Sequence, residues 1–322
     1  MPSGVKRAAR TGAQHGQLLT KLHGQHLLTD QKIINKIVDA AKVRPHHTVL
    51  EIGPGKGALT KELVKRAKKV IAIEYDPRQV VDLQKQIPRE HMSKLKIVHG
   101  DFLKVDITAP DMKFDMVVSN CPYNISSGIV FKLLCHANLF THAVLMFQKE
   151  FADRLVAQPG TEDWCRLAVN TQLLADTRHL MKVSRKCFSP PPKVESSVIM
   201  LTPKNAVPPG ISLVEWEAFV TDVFPNKGKT LSRIFKTKSL LKNMVKNYAL
   251  QCSLENTPIE ADKIPAKVDS IIAAVMEQRV MAGDVEEGLE GDVVGEIRPR
   301  MLRLEQILWL LKEFNKRGIH FK

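Results

Sequence analysis

A glycine-rich turn between an apolar run and a helical pattern constrains the fold of this chain more than any other feature. The string EIGPGKGAL occupies residues 51–59. The apolar and β-branched run TVLEI, typical of a buried parallel strand, leads into the glycines, and LTKELVKRAKK after them has helical spacing. Gly53, Gly55 and Gly57 are therefore predicted at a strand-to-helix turn, where glycine permits backbone angles closed to other residues and lets a ligand approach the main chain.

The next apolar run places a carboxylate where a nucleoside can bind. KVIAIE is predicted as a second strand and ends in Glu74, and a carboxylate at this position can bind both hydroxyls of a ribose. Together the two features indicate a cofactor that contains adenosine. Because Gly53, Gly55 and Ala58 also fit the G-x-G-x-x-G/A pattern of nicotinamide and flavin enzymes, hydride transfer stays an alternative at this point.

Two further strands bring polar residues to the same edge of the sheet. LKIVHG leads to Asp101, and FDMVVSN leads to Asn120, the first residue of the string NCPYNIS. Ligands bind at the carboxyl ends of the strands in an open parallel sheet, so Asp101 suits a hydrogen bond to the adenine of a cofactor. The order Asn, Cys, Pro, Tyr is typical of an adenine-methylating site. A nicotinamide enzyme would have no use for this string.

Methylation of adenine needs positioning more than it needs an acid or a base. The exocyclic amine is a poor nucleophile because its lone pair is delocalised into the ring. Two acceptors, the side-chain carbonyl of Asn120 and the main-chain carbonyl of Pro122, can hold its two hydrogens and turn the lone pair toward a methyl donor. Tyr123 is predicted to stack on the base. No metal ion is expected in such a site.

Apolar runs alternate with helical patterns through most of the chain. That alternation predicts an α/β fold with a parallel sheet covered on both faces. HLMKVS and SSVIMLTP are predicted as a hairpin that completes a seven-stranded sheet. The earlier strands are predicted at about residues 48–53, 69–74, 95–100, 114–120 and 142–148.

A proline-rich segment divides the chain. TPKNAVPPG marks a boundary near residue 207. Beyond it, Ser212 with Glu215 forms a capping box that opens a helix. The predicted parts are a basic N-terminal arm at 1–22, a main domain at 23–206 and a small helical domain at 207–322.

Positive charge is in excess and is concentrated in one segment. The chain carries 48 Lys and Arg against 34 Asp and Glu, and its net charge of +14 favours a polyanionic partner. Residues 226–246 contain no acid, and their interleaved apolar residues predict helices with one buried face. The cations on the other face either contact phosphate groups or simply face solvent. The predicted RNA contacts are Lys227, Lys229, Arg233, Lys236 and Lys238.

Composition also argues against several classes of protein. Five cysteines, an odd number without a C-x-x-C pair, disfavour a disulfide framework or a zinc site and favour a reducing compartment inside the cell. No apolar stretch approaches the roughly 18–20 residues that span a bilayer, so no membrane partner is expected. The first 24 residues carry four cations and no acid. An RNA-binding arm, a targeting signal and a plain tail are all compatible with them.

Taken in order, the motifs resemble those of one known family. From about Thr11 to its end, the chain is similar to the small-subunit rRNA adenine N6,N6-dimethyltransferases, most closely the eukaryotic dimethyladenosine transferases. The resemblance implies a Rossmann-like, seven-stranded class I methyltransferase sheet, a small C-terminal helical domain and S-adenosyl-L-methionine as the cofactor. The matching strings are TGAQHGQLLTKLHGQHLL, EIGPGKG, IEYDP, GDFLK, NCPYNIS, CFSPPPKVESSV at 187–198 and GIHF at 318–321.

The resemblance implies roles for residues beyond the strand ends. It places Gln25, His26 and Leu28 in a segment that closes over the cofactor. It places Phe188 against the face of the adenine opposite Tyr123, which makes Asn120, Pro122, Tyr123 and Phe188 the predicted catalytic group. The residues predicted to contact the cofactor are Gln25, His26, Leu28, Gly53, Gly55, Gly57, Glu74, Asp101 and Asn120.

Two positions depart from the residues usual in the family. Cys121 stands where leucine usually follows the asparagine. Since only a main-chain atom of that residue is needed, activity is expected to survive, while the number of methyl groups added is left open. Lys56 replaces the usual threonine or serine of the loop. The sequence does not decide whether it faces solvent or the cofactor.

The implied function is dimethylation of two adjacent adenines near the 3′ end of small-subunit (18S) rRNA during ribosome biogenesis. The expected partner is that rRNA within a pre-ribosomal particle. We expect a monomer in the nucleus or nucleolus, with a cytoplasmic or mitochondrial location left open. One alternative is a ribosome-assembly or transcription factor that binds RNA without needing methylation. Another is a large-subunit rRNA adenine methylase of the antibiotic-resistance type, against which the closing string GIHF argues.

Overall fold

The described part of the chain divides into two compact units. The computed structural model describes residues 27–204, 210–281 and 297–321. One unit contains the described residues up to Val156 together with those from Leu174 to residue 204. The other contains Ala157–Leu173 and the described residues from 210 onward.

The first unit is built on β-strands whose apolar residues are buried. Val49, Val70, Val117 and Val144 are all fully buried in the centre of the sheet, and each such side chain contributes about 1.5–3 kcal/mol relative to an exposed one. The described strands, in chain order, are β1 (Leu27–Leu28), β2 (Thr48–Ile52), β3 (Lys69–Glu74), β4 (Leu95–His99), β5 (Met116–Asn120), β6 (His142–Gln148), β7 (Ala175–Val183), β8 (Phe188–Ser189) and β9 (Ser196–Pro203).

Seven of these strands form one sheet, in the order β4-β3-β2-β5-β6-β9-β7. Strands β2 to β6 pair in parallel, and β9 pairs antiparallel with both β6 and β7. The predicted seven-stranded α/β fold, closed by a hairpin, is confirmed. Strand β7 begins earlier than predicted because it pairs from Ala175 onward, where alternating polar residues on an edge strand hide the apolar signal.

Helices of the first unit begin at residues that the sequence makes good caps. The carboxylate of Asp30 accepts the N–H groups of Lys32 and Ile33, and Asp76 caps a helix that starts with Pro77. The helices are α1 (Gln31–Ala40), α2 (Ala58–Arg66), α3 (Pro77–Gln86), α4 (Ser126–Cys135) and α5 (Lys149–Leu155).

The regular elements described in the second unit are all helices, as predicted for the C-terminal part of the chain. Ser212 accepts the N–H of Glu215 and so caps the first helix after the boundary segment. The Glu215 carboxylate does not complete the predicted capping box, since its oxygens bind His320, the Phe321 N–H and Asn315. The helices are α6 (Arg166–Leu174), α7 (Leu213–Val223), α8 (Leu231–Phe235), α9 (Lys238–Glu255), α10 (Ile264–Met281) and α11 (Leu304–Lys316).

Four phenylalanines form the centre of the second unit. Phe219, Phe235, Phe314 and Phe321 are all at most 2 % exposed. The ring of Phe321 lies 4.8 Å from that of Phe219 and 5.2 Å from that of Phe314, in edge-to-face arrangements. The closing string GIHF thus has a packing role in this unit.

Residues 157–173 group with the helical unit, whereas the sequence placed them in the main domain. Trp164 is buried there and donates its indole N–H to the carbonyl of Leu302 at 3.1 Å. Asn170 accepts from the indole of Trp216 at 3.0 Å. Such distant pairings leave no signal in the local sequence. The predicted boundary near residue 207 and the arm at 1–22 lie outside the described residues.

None of the helices that the structure describes is long and apolar enough to cross a membrane.

Candidate active site

A cavity of about 580 Å³ opens at the carboxyl ends of β2, β3, β4 and β5. This is the edge at which the sequence predicted a ligand site. Gly57 and Phe188 are not part of its lining, and Gln25 and His26 lie outside the described residues. The predicted site residues that line the cavity are Leu28, Gly53, Gly55, Glu74, Asp101, Asn120, Pro122 and Tyr123.

The glycine loop packs against the Asn-Cys-Pro-Tyr string. Gly53 has φ +64°, and a Cβ atom placed on it would stand 2.8 Å from Cγ of Pro122. Any larger residue would push the two loops apart. Gly57 has φ +80°, and its Cβ would stand 2.5 Å from Cδ1 of Leu83 on α3. Gly57 therefore allows close helix packing, while Gly53 and Gly55 form the cavity wall.

Glu74 braces the loop that it faces. Its two carboxylate oxygens accept the N–H of Gly55 at 3.0 Å and the N–H of Asp76 at 2.9 Å. Burial raises the pKa of this carboxyl above its ordinary value. A carboxylate has about four acceptor sites, so the ribose contact that the sequence suggests stays a prediction compatible with this geometry.

Glu51 is a cavity residue that the sequence reasoning did not select. It is 1 % exposed, lines the cavity, and its Oε2 atom has no hydrogen-bond partner among the described residues. Burial, with a smaller contribution from the nearby Glu74 charge, raises the pKa of Glu51 to about 8. With this pKa the acid keeps its proton at neutral pH in the free protein, and a cationic ligand group beside its free oxygen would favour the charged carboxylate. The sequence did contain a signal for Glu51, because an acid two residues before the first glycine is unusual in a strand that is otherwise largely apolar.

Asn120 ends β5 beside the glycine loop, and its neighbour Ser119 fixes it there. The Ser119 hydroxyl donates to the carbonyl of Ile52 at 2.6 Å, which ties the ends of β5 and β2 together. The N–H of Cys121 donates to the carbonyl of Met146 at 3.1 Å. The backbone on both sides of Asn120 is therefore held by the sheet.

The main-chain acceptor is less simple than predicted. The Pro122 carbonyl accepts the N–H of Ile125 at 3.3 Å within a short 3₁₀ turn. Among the described hydrogen bonds, none ends on the carbonyl of Cys121, which follows Asn120 directly and also lines the cavity. Cys121 is thus a second candidate for the acceptor beside Asn120, together with the remaining lone pair of Pro122.

The side chain of Cys121 packs rather than reacts. It is 2 % exposed, and its thiol donates to the Ser119 hydroxyl with an S–O distance of 3.6 Å. Burial raises the pKa of this thiol to about 12. Such a thiol holds its proton at neutral pH and is a poor nucleophile.

Tyr123 lines the cavity and is held at its far end. Its hydroxyl and the Ser196 hydroxyl are 2.7 Å apart. Burial raises the pKa of Tyr123 above its ordinary value. Tyr123 therefore belongs to the cavity wall, and the stacking of a base on its ring stays a prediction.

Phe188 lies in the core and not on the cavity wall, which differs from its predicted place beside a base. Strand β8 pairs antiparallel with β1, so that Leu28 lies opposite Phe188. Phe188 is only 3 % exposed and packs in one cluster with Leu28, Val183 and Val198. The pairing joins the segment that carries Leu28 to the CFSPPP loop. The sequence did not reveal it, because two-residue strands carry no periodicity.

Asp101 caps a turn and lines the cavity, and its contact with the adenine of a cofactor stays a prediction. One carboxylate oxygen accepts the N–H of Leu103 at 2.9 Å and so caps the turn after β4. The residue also lines the cavity beside Phe102. Lys56 is exposed and belongs to the cavity wall as well, so it is near enough to influence a ligand.

The predicted RNA-contacting cations differ in their surroundings, because some bind a neighbouring group and others are exposed. In the second unit, Lys227 donates to the carbonyl of Glu162, and Lys236 forms an ion pair with Asp269 at 2.9 Å. Lys229, Arg233 and Lys238 are exposed. Lys242 and Lys246, further along α9, are exposed as well. They follow Lys238 at intervals of four residues, so the three lysines lie along one side of the helix. We call Lys238, Lys242 and Lys246 the lysine line.

The sheet order, the antiparallel last strands and the cavity beside Asn120 define a Rossmann-like methyltransferase. Comparison with known proteins agrees. The model of the family described as ribosomal RNA adenine dimethylase matches residues 17–270. A probable dimethyladenosine transferase of Dictyostelium discoideum is 44% identical over 319 residues, which cover 98% of this chain and 96% of that protein.

Two further relatives cover nearly the whole chain. A ribosomal RNA small subunit methyltransferase of Arabidopsis thaliana is 39% identical over 352 residues, 99% of this chain and 97% of that protein. The crystal structure of a dimethyladenosine transferase from Plasmodium falciparum superposes with a TM-score of 0.77 at 37% identity, covering 92% of this chain and 100% of that one. The chain therefore belongs to the ribosomal RNA adenine dimethylase family. It is a methyltransferase that dimethylates adenine in ribosomal RNA.

Proposed function

We propose that this enzyme uses S-adenosyl-L-methionine to dimethylate two adjacent adenines near the 3′ end of small-subunit rRNA, within a nucleolar pre-ribosomal particle. The observation that carries the proposal is the contact between the glycine loop and the Asn-Cys-Pro-Tyr string, with the Cβ position of Gly53 only 2.8 Å from Pro122. That contact puts a nucleoside-binding loop and an amine-orienting string on one cavity. The similarity to the small subunit methyltransferase of Arabidopsis supports the choice of subunit.

The cavity residues fit the proposed cofactor. When bound, S-adenosyl-L-methionine supplies an electrophilic methyl group on a positively charged sulfur. Glu51 offers a buried carboxyl oxygen that has no partner among the described residues, and this oxygen suits the ammonium group of the cofactor. Glu74 and Asp101 offer carboxylate lone pairs for the ribose and the adenine, and Gly55 leaves the main chain open to close approach.

The residues around Asn120 orient the target amine. The side-chain carbonyl of Asn120 and a main-chain carbonyl of Cys121 or Pro122 accept its two hydrogens, which turns the nitrogen lone pair toward the methyl group. The Ser119 bond to Ile52 keeps these acceptors fixed relative to the glycine loop. Rigid acceptors stabilise the charge that develops on the amine without any reorganisation during the reaction.

The substrate base must leave its stack to reach this cavity. Tyr123 supplies an aromatic face for the extruded adenine. The exposed cations of the second unit supply contacts to the phosphates, and the lysine line presents three of them along one helix. Such contacts give affinity and register but little sequence readout.

The decisive experiment compares the full chain with an Asn120→Ala variant. Each protein is incubated with methyl-labelled S-adenosyl-L-methionine and immature small ribosomal subunits, and modified adenines are mapped by mass spectrometry. We expect dimethyl label at two neighbouring adenines near the 3′ end and a loss of about 100-fold or more in the variant. Asn138→Ala, an exposed asparagine away from the cavity lining, is the matched control and should keep full activity.

Other outcomes separate the alternatives. A parallel reaction offers large ribosomal subunits in place of small ones. Label that appears only in that reaction would replace the proposed substrate with that of the large-subunit methylases. Tight binding to the subunit without any methyl transfer would favour a ribosome-assembly factor.

A further inference from the structure

Ser196 has no role in the site as described so far, yet it is the partner of Tyr123. The two hydroxyl oxygens are 2.7 Å apart. Ser196 is fully buried. It is also the first residue of β9, where it pairs with Gln148 of β6 on one side and Val183 of β7 on the other. Its hydroxyl therefore projects from a point at which the backbone is fixed on both sides.

Tyr123 lies in a short turn and not in a strand of the sheet. It begins a three-residue 3₁₀ turn, Tyr123–Ile125, between the end of β5 and α4. A tyrosine ring turns about two side-chain torsions. A hydrogen bond at the hydroxyl end removes the freedom that the turn leaves, so the ring is held at both ends as it lines the cavity.

The two methyl transfers place different demands on this ring. In each transfer the amine nitrogen bonds to the methyl carbon while the carbon–sulfur bond breaks with its electron pair on sulfur, and one amine proton leaves to water. The unmodified amine offers two N–H donors, one to the side-chain carbonyl of Asn120 and one to the main-chain carbonyl of Cys121 or Pro122. The monomethylated amine offers only one. In the second transfer, stacking on Tyr123 must supply the orientation that the missing hydrogen bond no longer gives.

We propose that Ser196 is a positioning residue that fixes the Tyr123 ring and is needed more for the second methyl transfer than for the first. The inference rests on the proposed function, since it requires the adenine to stack on Tyr123. It concerns the number of methyl groups added, which the unusual Cys121 left open in the sequence.

The test measures the ratio of monomethyl to dimethyl adenine during single turnovers on immature small ribosomal subunits. For Ser196→Ala we expect the ratio to rise about fivefold, the effect of losing one ordinary hydrogen bond. The rate of the first transfer should stay within about twofold of the unaltered chain. Tyr123→Phe removes the same bond from the other side, so it should raise the ratio equally, and the double variant should add nothing further.

Ser197→Ala is the matched control. Ser197 is also fully buried, but it points to the opposite face of the sheet, where its hydroxyl lies 3.3 Å from Nε2 of His179. It should leave the ratio unchanged. If the unaltered chain transfers no methyl group, both the proposed function and this inference fail. If it dimethylates normally, the inference alone is overturned by an unchanged ratio in Ser196→Ala, by equal losses in both transfers, or by the same rise in Ser197→Ala.

Discussion

Gly53 lies directly against Pro122, so that a single Cβ atom on the glycine would approach the proline ring to 2.8 Å. Nothing larger than hydrogen fits between the glycine loop and the Asn-Cys-Pro-Tyr string. Under the proposed function, the first of these loops holds the cofactor and the second orients the substrate amine. Packing between two short loops would then set the position of the methyl donor relative to the amine.

This contact predicts the result of replacing Gly53 by alanine. The variant has to move Pro122 away and also strain a backbone with φ +64°, which costs about 1–2 kcal/mol by itself. We expect methyl transfer to fall at least about tenfold, since displacement by a fraction of an ångström disturbs alignment. Gly160→Ala is the control, because Gly160 has φ +88° but open space around its Cβ position. It should lose stability and keep activity. Equal losses of activity in both variants would contradict the packing argument.

Glu51 predicts a pH dependence of stability in the free protein. Its pKa is raised to about 8 in the folded chain, mainly by burial, whereas an unfolded glutamate has a pKa of about 4.3. Between these values the folded state binds the proton more tightly, so the unfolded state gains relative stability as pH rises. The contribution of Glu51 to the free energy of unfolding falls by about 1.4 kcal/mol per pH unit between these two pKa values. It levels off above the pKa of the folded state.

Glu51→Gln removes that dependence because glutamine does not titrate. The melting temperature of the variant should therefore rise relative to that of the unaltered chain from pH 5 to pH 8. Calorimetry without cofactor measures this difference. S-adenosyl-L-methionine should bind more weakly to the variant, since the neutral amide no longer pairs with the ammonium group. A difference in melting temperature that stays constant over this range would show that Glu51 titrates normally.

The phenylalanine cluster predicts how much the last described residues contribute to the stability of the second unit. Phe321 is buried against Phe219 and Phe314. Phe321→Ala leaves a cavity in this cluster, and we expect it to destabilise the second unit by about 3–5 kcal/mol. Val214→Ala is the control, because Val214 is 77% exposed and loses little on truncation. Calorimetry measures both, and a loss below about 1 kcal/mol for Phe321→Ala would argue against the packing role.

The lysine line predicts how binding to RNA responds to salt. Each lysine that neutralises a phosphate contributes about 0.7–0.9 to the slope of log affinity against log salt concentration. Lys238→Ala and Lys242→Ala should each reduce that slope by one such step. Lys236→Ala should reduce it less, since Lys236 is already paired with Asp269. Filter binding to small-subunit RNA at several salt concentrations measures the slopes. Slopes identical to that of the unaltered chain in all variants would mean that these lysines face solvent and do not contact phosphates.

The sequence by itself determined the sheet, the loop and the reaction. Buried parallel strands need continuous apolar runs, and a nucleoside loop needs glycine where φ is positive, so Gly53 and Glu74 were recognisable from local patterns. Asn120 was recognisable as a candidate because an amide next to a strand end has the chemistry that amine orientation requires. These features are local, and each leaves its mark within a few residues.

Only the tertiary structure decided which residues support the site and from where. The bond between Tyr123 and Ser196 spans 73 positions of the chain, and the pairing of Leu28 with Phe188 moves that phenylalanine into the core. The free oxygen of Glu51 and the ion pair that occupies Lys236 depend on neighbours brought close by folding. Burial and partnership are properties of packed surfaces between distant segments, and a one-dimensional pattern carries no record of them.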